Sequence, residues 1–222
     1  MQPQPVTIPL SSGASVSGLW LAPAGARAAL VLAHGAGAGM THRAMTALAE
    51  GLARRGVATL RYQFPYMEKG GKRPDTPAVA QTAVRAAVAA ARGLAADLPL
   101  FAGGRSFGGR MTSAAQAAEP LQGVRGLVFF AFPLHLAGKP GVERAAHLSD
   151  VSIPMLFVQG THDTLADLAL LRGVVDGLGA RAALQLIADA DHAFHVPART
   201  GRKDADVLEA ALDGVAAWIA DR

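Results

Sequence analysis

Three residues of this chain have the types and the order needed to turn a hydroxyl into a nucleophile: Ser106, Asp163 and His192. Ser106 lies in Gly103-Gly104-Arg105-Ser106-Phe107-Gly108-Gly109, between the short apolar run Leu98–Ala102 and an Ala-rich segment, Arg110–Ala118, that reads as helix. A serine flanked by glycines between a strand and a helix is the nucleophile-elbow pattern, G-x-S-x-G. Such a turn is so tight that Ser106 is expected to take strained backbone angles, and a Cβ at Gly104 or Gly108 is expected to collide with adjacent chain. The hydroxyl then stands clear at the strand end, beside helix N–H groups that favour negative charge. Over five residues a Gly-rich turn with a capping serine looks the same. The other residues decide between the two.

Asp163 closes Gln159-Gly160-Thr161-His162-Asp163, just past an apolar run. A carboxylate there can hold an imidazole in one tautomer and stabilise its cation. Asp167 reads instead as a helix cap. In Asp189-Ala190-Asp191-His192-Ala193-Phe194-His195, His192 is the candidate base and His195 the competitor. A chain leaving a strand presents its base early, and Phe194 can wall it, so His192 is preferred. The small-residue loop His34-Gly35-Ala36-Gly37-Ala38-Gly39 lets backbone N–H groups approach a ligand. It has neither a G-x-G-x-x-G frame nor a Gly-Lys-Ser/Thr ending, which argues against a nucleotide. His34 is expected to order that loop. His42, His135, His147 and His162 read as surface or loop hydrogen-bonders. No pair has H-E-x-x-H spacing, and His192/His195 beside Asp191 only imitates a ligand set, so neither a metal nor an organic cofactor is expected.

For these residues to meet, the elements carrying them must end on one edge. Val6–Leu10 and Ser15–Leu21 read as two strands joined by Ser12-Gly13, an antiparallel edge hairpin. Apolar runs follow at Ala29–Ala33, Val57–Tyr62, Pro99–Ala102, Gly126–Ala131, Met155–Val158 and Ala183–Ile187, the pattern of strands covered on both faces. Amphipathic helical stretches alternate with them at His42–Arg55, Pro77–Ala96, Asp167–Leu178 and Asp204–Ile219. The expected fold class is therefore α/β: a doubly wound, mostly parallel sheet with helices on both faces. The length of 222 residues suits one domain, 1–222, with neither repeat nor linker. The segment 132–153 is too short for a large cap domain, so an open site is expected. In such sheets the chemistry lies beyond the carboxyl ends of the strands, where Ala36, Ser106, Asp163 and His192 all fall.

Composition removes other classes. Cysteine is absent, which excludes thiol nucleophiles and Cys-ligated metals. The net charge of +4 comes from scattered basic residues, with pairs such as Arg54-Arg55 the longest runs, and at 5% aromatic content no stacking platform accompanies them; nucleic-acid binding is not expected. No apolar run reaches the ~18 residues of a membrane span. The N-terminus has neither a basic start nor an apolar stretch, so no membrane association and a cytoplasmic location are expected.

The chain resembles the α/β-hydrolase superfamily in its dienelactone-hydrolase-like region, and is similar to the small hydrolase-like family of testis-expressed protein thirty and its bacterial relatives. The order Ser106…Asp163…His192 is the superfamily's. Within it, Phe64-Pro65-Tyr66-Met67-Glu68, Arg73-Pro74-Asp75, Phe132-Pro133-Leu134-His135 and Gly138-Lys139-Pro140 point to that branch. Dienelactone hydrolases proper use a cysteine nucleophile, which this chain lacks. The resemblance implies a serine hydrolase cleaving a small carboxylic ester or thioester through an acyl-Ser106 intermediate, with oxyanion donors at the N–H groups of Ala36 and Phe107. A non-catalytic hydrolase-like scaffold and an acyltransferase on the same residues are the other readings. The loop Gln63–Thr76 follows a strand end, and Tyr66, Met67, Lys72 and Arg73 are the expected contacts to a small acyl substrate, the cations steering an acidic or polar one. A solvated surface loop is the competing reading. Arg105 is expected to pair with a nearby carboxylate.

Overall fold

The computed structural model describes residues 1–222. Its central strands bury both faces, as their near-continuous apolar sequences require. In β3 (Ala28–Ala33) every residue is buried: Ala29, Val31 and Ala33 face one core cluster, and Leu30 and Leu32 the other. The same alternation runs through β6 (Val124–Phe130) and β7 (Met155–Gly160). Leu127, Phe129, Met155 and Phe157 point to one side, and Val128, Phe130, Leu156 and Val158 to the other. Helices complete both layers. On one face lie α1 (Arg43–Arg54), through Met45, Leu48 and Leu52, and α6 (Asp204–Ala220), through Val207, Leu212, Val215 and Trp218. On the other lie α3 (Pro77–Leu94), α4 (Phe107–Ala118) and α5 (Leu168–Leu178), the α2 turn (Pro65–Glu68) preceding α3.

The strand order is β1-β2-β4-β3-β5-β6-β7-β8. The hairpin β1 (Gln4–Pro9) and β2 (Ser15–Leu21) pairs antiparallel onto β4 (Val57–Tyr62). From β4 onward, through β5 (Leu100–Arg105) to β8 (Ala182–Ile187), all pairs are parallel. No large cap interrupts it; residues 131–154 contain only the 3-10 segment Glu143–Asp150. The expected α/β class and edge hairpin therefore stand. No helix is long and apolar enough to cross a membrane.

Three local differences from the sequence expectation have physical causes. The strand expected to end at Ala102 continues to Arg105, and the helix expected from Arg110 starts at Phe107. Glycines weaken both elements on propensity alone, but here close approach demands them. A Cβ at Gly104 would run into the Ala33 carbonyl, and one at Gly108 would sit 2.6 Å from the carbonyl oxygens of Ala33 and His34. This contact brings the start of α4 across the end of β3. The last strand, β8, is only half-buried along most of its length because it is a sheet edge.

Candidate active site

The carboxyl ends of β3, β5, β7 and β8 meet at one rim. Ser106 stands between β5 and α4 at φ 50°, ψ −117°, a region that costs a non-glycine residue on the order of 1–3 kcal/mol. Three other non-glycine residues with positive φ, Ala131, Asp189 and Phe194, follow β6 and β8 on the same edge. The Ser106 N–H donates to the Phe130 carbonyl at 2.9 Å, which anchors the strained turn from below.

Ser106 Oγ lies 2.9 Å from His192 Nε2, and His192 Nδ1 lies 2.7 Å from Asp163 Oδ2. The Asp163 side chain is fully buried; that of His192 is 24% exposed. With Nδ1 facing a carboxylate, Nδ1 carries the proton, and Nε2 presents its lone pair to the hydroxyl. Asp163 is held by more than the imidazole. Its Oδ1 accepts from the Leu165 N–H at 2.8 Å, and its Oδ2 from Gln159 Nε2 at 2.6 Å. Gln159 is fully buried and its own Oε1 has no partner, so its amide is committed to the carboxylate despite the cost of an unmade bond. The two loops are stitched together where they leave the sheet: the His162 N–H donates to the Ala190 carbonyl and the Asp189 N–H to Thr161 Oγ1.

Ala36 and Phe107 both line the cleft at Ser106. The Phe107 N–H is the first of α4 and has no intrahelical acceptor. The Ala36 N–H donates to no backbone carbonyl, while the Ala36 carbonyl is turned away by the Tyr66 hydroxyl, which donates to it at 2.7 Å. His34, fully buried, orders this loop: Nδ1 donates to the Gly35 carbonyl at 2.8 Å and Nε2 accepts from the Phe64 N–H at 3.1 Å. Burial pushes its pKa below the usual 6.5, which keeps it a neutral bridge.

The cleft, about 360 Å³, is lined by Ala36, Phe107, Pro133 and Leu165 around Ser106, with the polar groups Asp75, Arg110 and Arg144. A larger depression of about 450 Å³ lies under the hairpin at Leu10, Val16, Pro65 and Val79, but no nucleophile–base pair reaches it.

Several expected contacts fall elsewhere. Lys72 and Arg73 are exposed, and neither they nor Tyr66 and Met67 line the cleft. Tyr66 is buried behind it against Ala36, and Met67 packs on the core. The stretch Tyr66–Arg73 stays out because α2 and the Asp75 carboxylate, which accepts from the Tyr66 N–H at 2.9 Å, hold its start against the sheet; the end of the loop reaches the cleft through Pro74 and Asp75. Arg105 forms no ion pair; its guanidinium donates to the His192 carbonyl at 3.0 Å, tying the turn that bears Ser106 to the loop that bears His192. His195 points away, exposed and 2.9 Å from Asp204. Asp167 is the cap of α5, accepting from the Leu170 N–H. His135 takes the loop alternative of its expected role and not the surface one: it is buried and accepts from the Asp167 N–H through Nε2. Gln159, Arg110 and Arg144 escaped the sequence reading. Of these only Arg110 left a signal, four residues after Ser106 and so one helical turn away.

A lone strained serine at a strand–helix turn, an imidazole behind it and a buried carboxylate behind that, all on the carboxyl rim of a mostly parallel sheet, define the α/β-hydrolase type. The chain belongs to the family described as alpha/beta hydrolase domain, whose model matches residues 26–220. It is similar in structure to an alpha-beta serine hydrolase homologue from Coxiella burnetii, at 20% identity and a TM-score of 0.77 over 96% of this chain and 98% of that one. Dienelactone hydrolase from Anabaena variabilis matches at 22% identity and a TM-score of 0.78, covering 100% and 99%. A serine hydrolase without lid from Xanthomonas campestris matches at 22% and 0.74, covering 98% and 95%. These likenesses establish the fold.

Proposed function

We propose that the protein is a serine hydrolase that cleaves a small carboxylic ester or thioester through an acyl-Ser106 intermediate. The observation that carries this reading is the continuous hydrogen-bonded line Ser106 Oγ–His192 Nε2 and His192 Nδ1–Asp163 Oδ2, at 2.9 and 2.7 Å. His192 takes the hydroxyl proton as Ser106 Oγ bonds to the substrate carbonyl carbon. Asp163 keeps the Nδ1 proton in place and stabilises the imidazolium. The N–H groups of Ala36 and Phe107 receive the oxyanion; each such donor is worth on the order of a hundredfold or more in rate. The tetrahedral adduct collapses as His192 returns the proton to the leaving oxygen or sulfur. Water, deprotonated by His192, then attacks the acyl-Ser106 carbonyl and releases the acid.

A scaffold has no use for backbone strain at Ser106, which favours the catalytic reading. The structural neighbours, a serine hydrolase homologue and a dienelactone hydrolase among them, agree with it. Within the family, the Phe-Pro-Tyr and Gly-Lys-Pro segments support a place beside the testis-expressed protein thirty branch. The test is acid-quench mass spectrometry during turnover of short-chain 4-nitrophenyl esters. The reading predicts an acyl adduct on Ser106 and hydrolysis abolished in Ser106→Ala; full esterase activity in that variant contradicts it.

A further inference from the structure

Arg110 and Arg144 come from separate elements, α4 and the 3-10 segment 143–150, yet both line the Ser106 cleft. Neither forms an ion pair; the chain's salt bridges all lie elsewhere. The Arg110 guanidinium makes no hydrogen bond and rests 6.0 Å over the Phe107 ring. Arg144 uses one nitrogen on the His135 carbonyl, at 3.2 Å, and leaves its other donors free. Both residues are half-buried. Burial and the like charge of Arg144 push the Arg110 pKa below its usual value. The free protein thus holds two cations in one partly dry cleft, where a missing counter-charge is costly.

The nearby carboxylates do not supply that charge. Asp75 lines the cleft but receives the Tyr66 N–H and pairs with neither arginine. Glu143, next to Arg144, is exposed and unpaired. Guanidinium forks suit carboxylates, binding them through two parallel N–H···O bonds. The Arg110 N–H donates to the Ser106 carbonyl at 3.1 Å, and both residues line the one cleft, so a ligand's anion on Arg110 lies close to the carbonyl under attack.

We infer that Arg110 and Arg144 form a carboxylate subsite, and that the substrate is a short ester or thioester whose acyl part ends in a carboxylate, as in the half-ester of a small dicarboxylic acid. This rests on the serine-hydrolase reading and adds the substrate class to it. It also moves the cationic contact from the exposed Lys72 and Arg73 to the cleft itself.

The experiment compares ethyl hydrogen glutarate with ethyl valerate, alike in chain length and different in charge, by pH-stat. Charge-assisted hydrogen bonds predict a kcat/KM ratio favouring the anionic ester by about tenfold or more, carried mainly by KM. Arg110→Gln and Arg144→Gln each lower the ratio, the double variant brings it near one, and the lysine variants fall between. A second readout needs no turnover: free glutarate slows fluorophosphonate labelling of Ser106 in the wild type and fails to in the double variant, with thermal melts confirming folding. A ratio near one with Ser106 still labelled and esters still cleaved overturns the subsite and leaves the hydrolase reading intact. So does a ratio abolished by Lys72→Gln/Arg73→Gln but not by the arginine variants. Inorganic phosphate protecting Ser106 better than glutarate overturns the carboxylate assignment. Absence of both labelling and turnover strikes the hydrolase reading itself.

Discussion

The molecule contains two serine–histidine contacts, and they are built differently. Ser106 Oγ meets His192 Nε2 at 2.9 Å; Ser113 Oγ, two turns along the same helix, meets His147 Nε2 at 2.7 Å. Behind His192 stands the buried Asp163; no carboxylate hydrogen-bonds His147. The Ser106 hydroxyl has no acceptor other than the imidazole, whereas the single Ser113 proton has the Arg110 carbonyl 3.0 Å away. If that carbonyl takes it, His147 is left only to donate. Ser106 stands at a strained turn beside the free Phe107 N–H; Ser113 is buried inside α4 with no donor to receive an oxyanion. On the proposed function the shorter contact is the inert one. Distance between hydroxyl and imidazole does not make a nucleophile; the third group, the direction of the proton and the oxyanion donors do.

The comparison breaks most readily by deleting each hydroxyl. Ser106→Ala is expected to lower kcat at least ~10³-fold, whereas Ser113→Ala changes it by less than about threefold; rates on one short-chain ester measure both. Asp163→Asn removes what His147 lacks, and a loss of order 10³–10⁴ in kcat is expected, with KM little changed. Gln159→Leu keeps the volume but removes one of the bonds that aim Asp163. Charge-assisted hydrogen bonds set the expected loss at about tenfold to a hundredfold in kcat, and Gln159→Glu is expected to be worse because it sets a second carboxylate against the first.

The smallest effect is on stability. Burial, with Arg110 beside it, pushes the His147 pKa below 6.5, and burial does the same to His34. The unfolded chain then binds these protons first as pH falls, so folding stability drops from about pH 6.5 downward, until the folded imidazoles also titrate. Melting temperatures between pH 7 and 5 are expected to fall, and His147→Asn to flatten the slope.

What the sequence disclosed follows the range of the signals. Strand ends are local, so Ser106, Asp163 and His192 were legible as a set placed along one rim. Parallel strands buried on both faces announce themselves as apolar runs, so the sheet was legible too. Gly103-Gly104 and Gly108-Gly109 hid the true ends of β5 and α4 because close backbone packing, invisible in one dimension, outweighs propensity. The cations that line the cleft were hidden for the same reason. Lys72 and Arg73 are neighbours in sequence and read as a group; Arg110 and Arg144 are 34 residues apart and share a cleft only because the 3-10 segment packs on α4.

Ser106 and Ser113 can be told apart in one measurement. The native protein is treated with a fluorophosphonate, digested, and the peptide carrying both serines is sequenced by mass spectrometry. Stoichiometric label on Ser106 with Ser113 unmodified is the expected result; label on Ser113, or an unmodified peptide under conditions that label other serine hydrolases, contradicts the assignment of Ser106 as nucleophile.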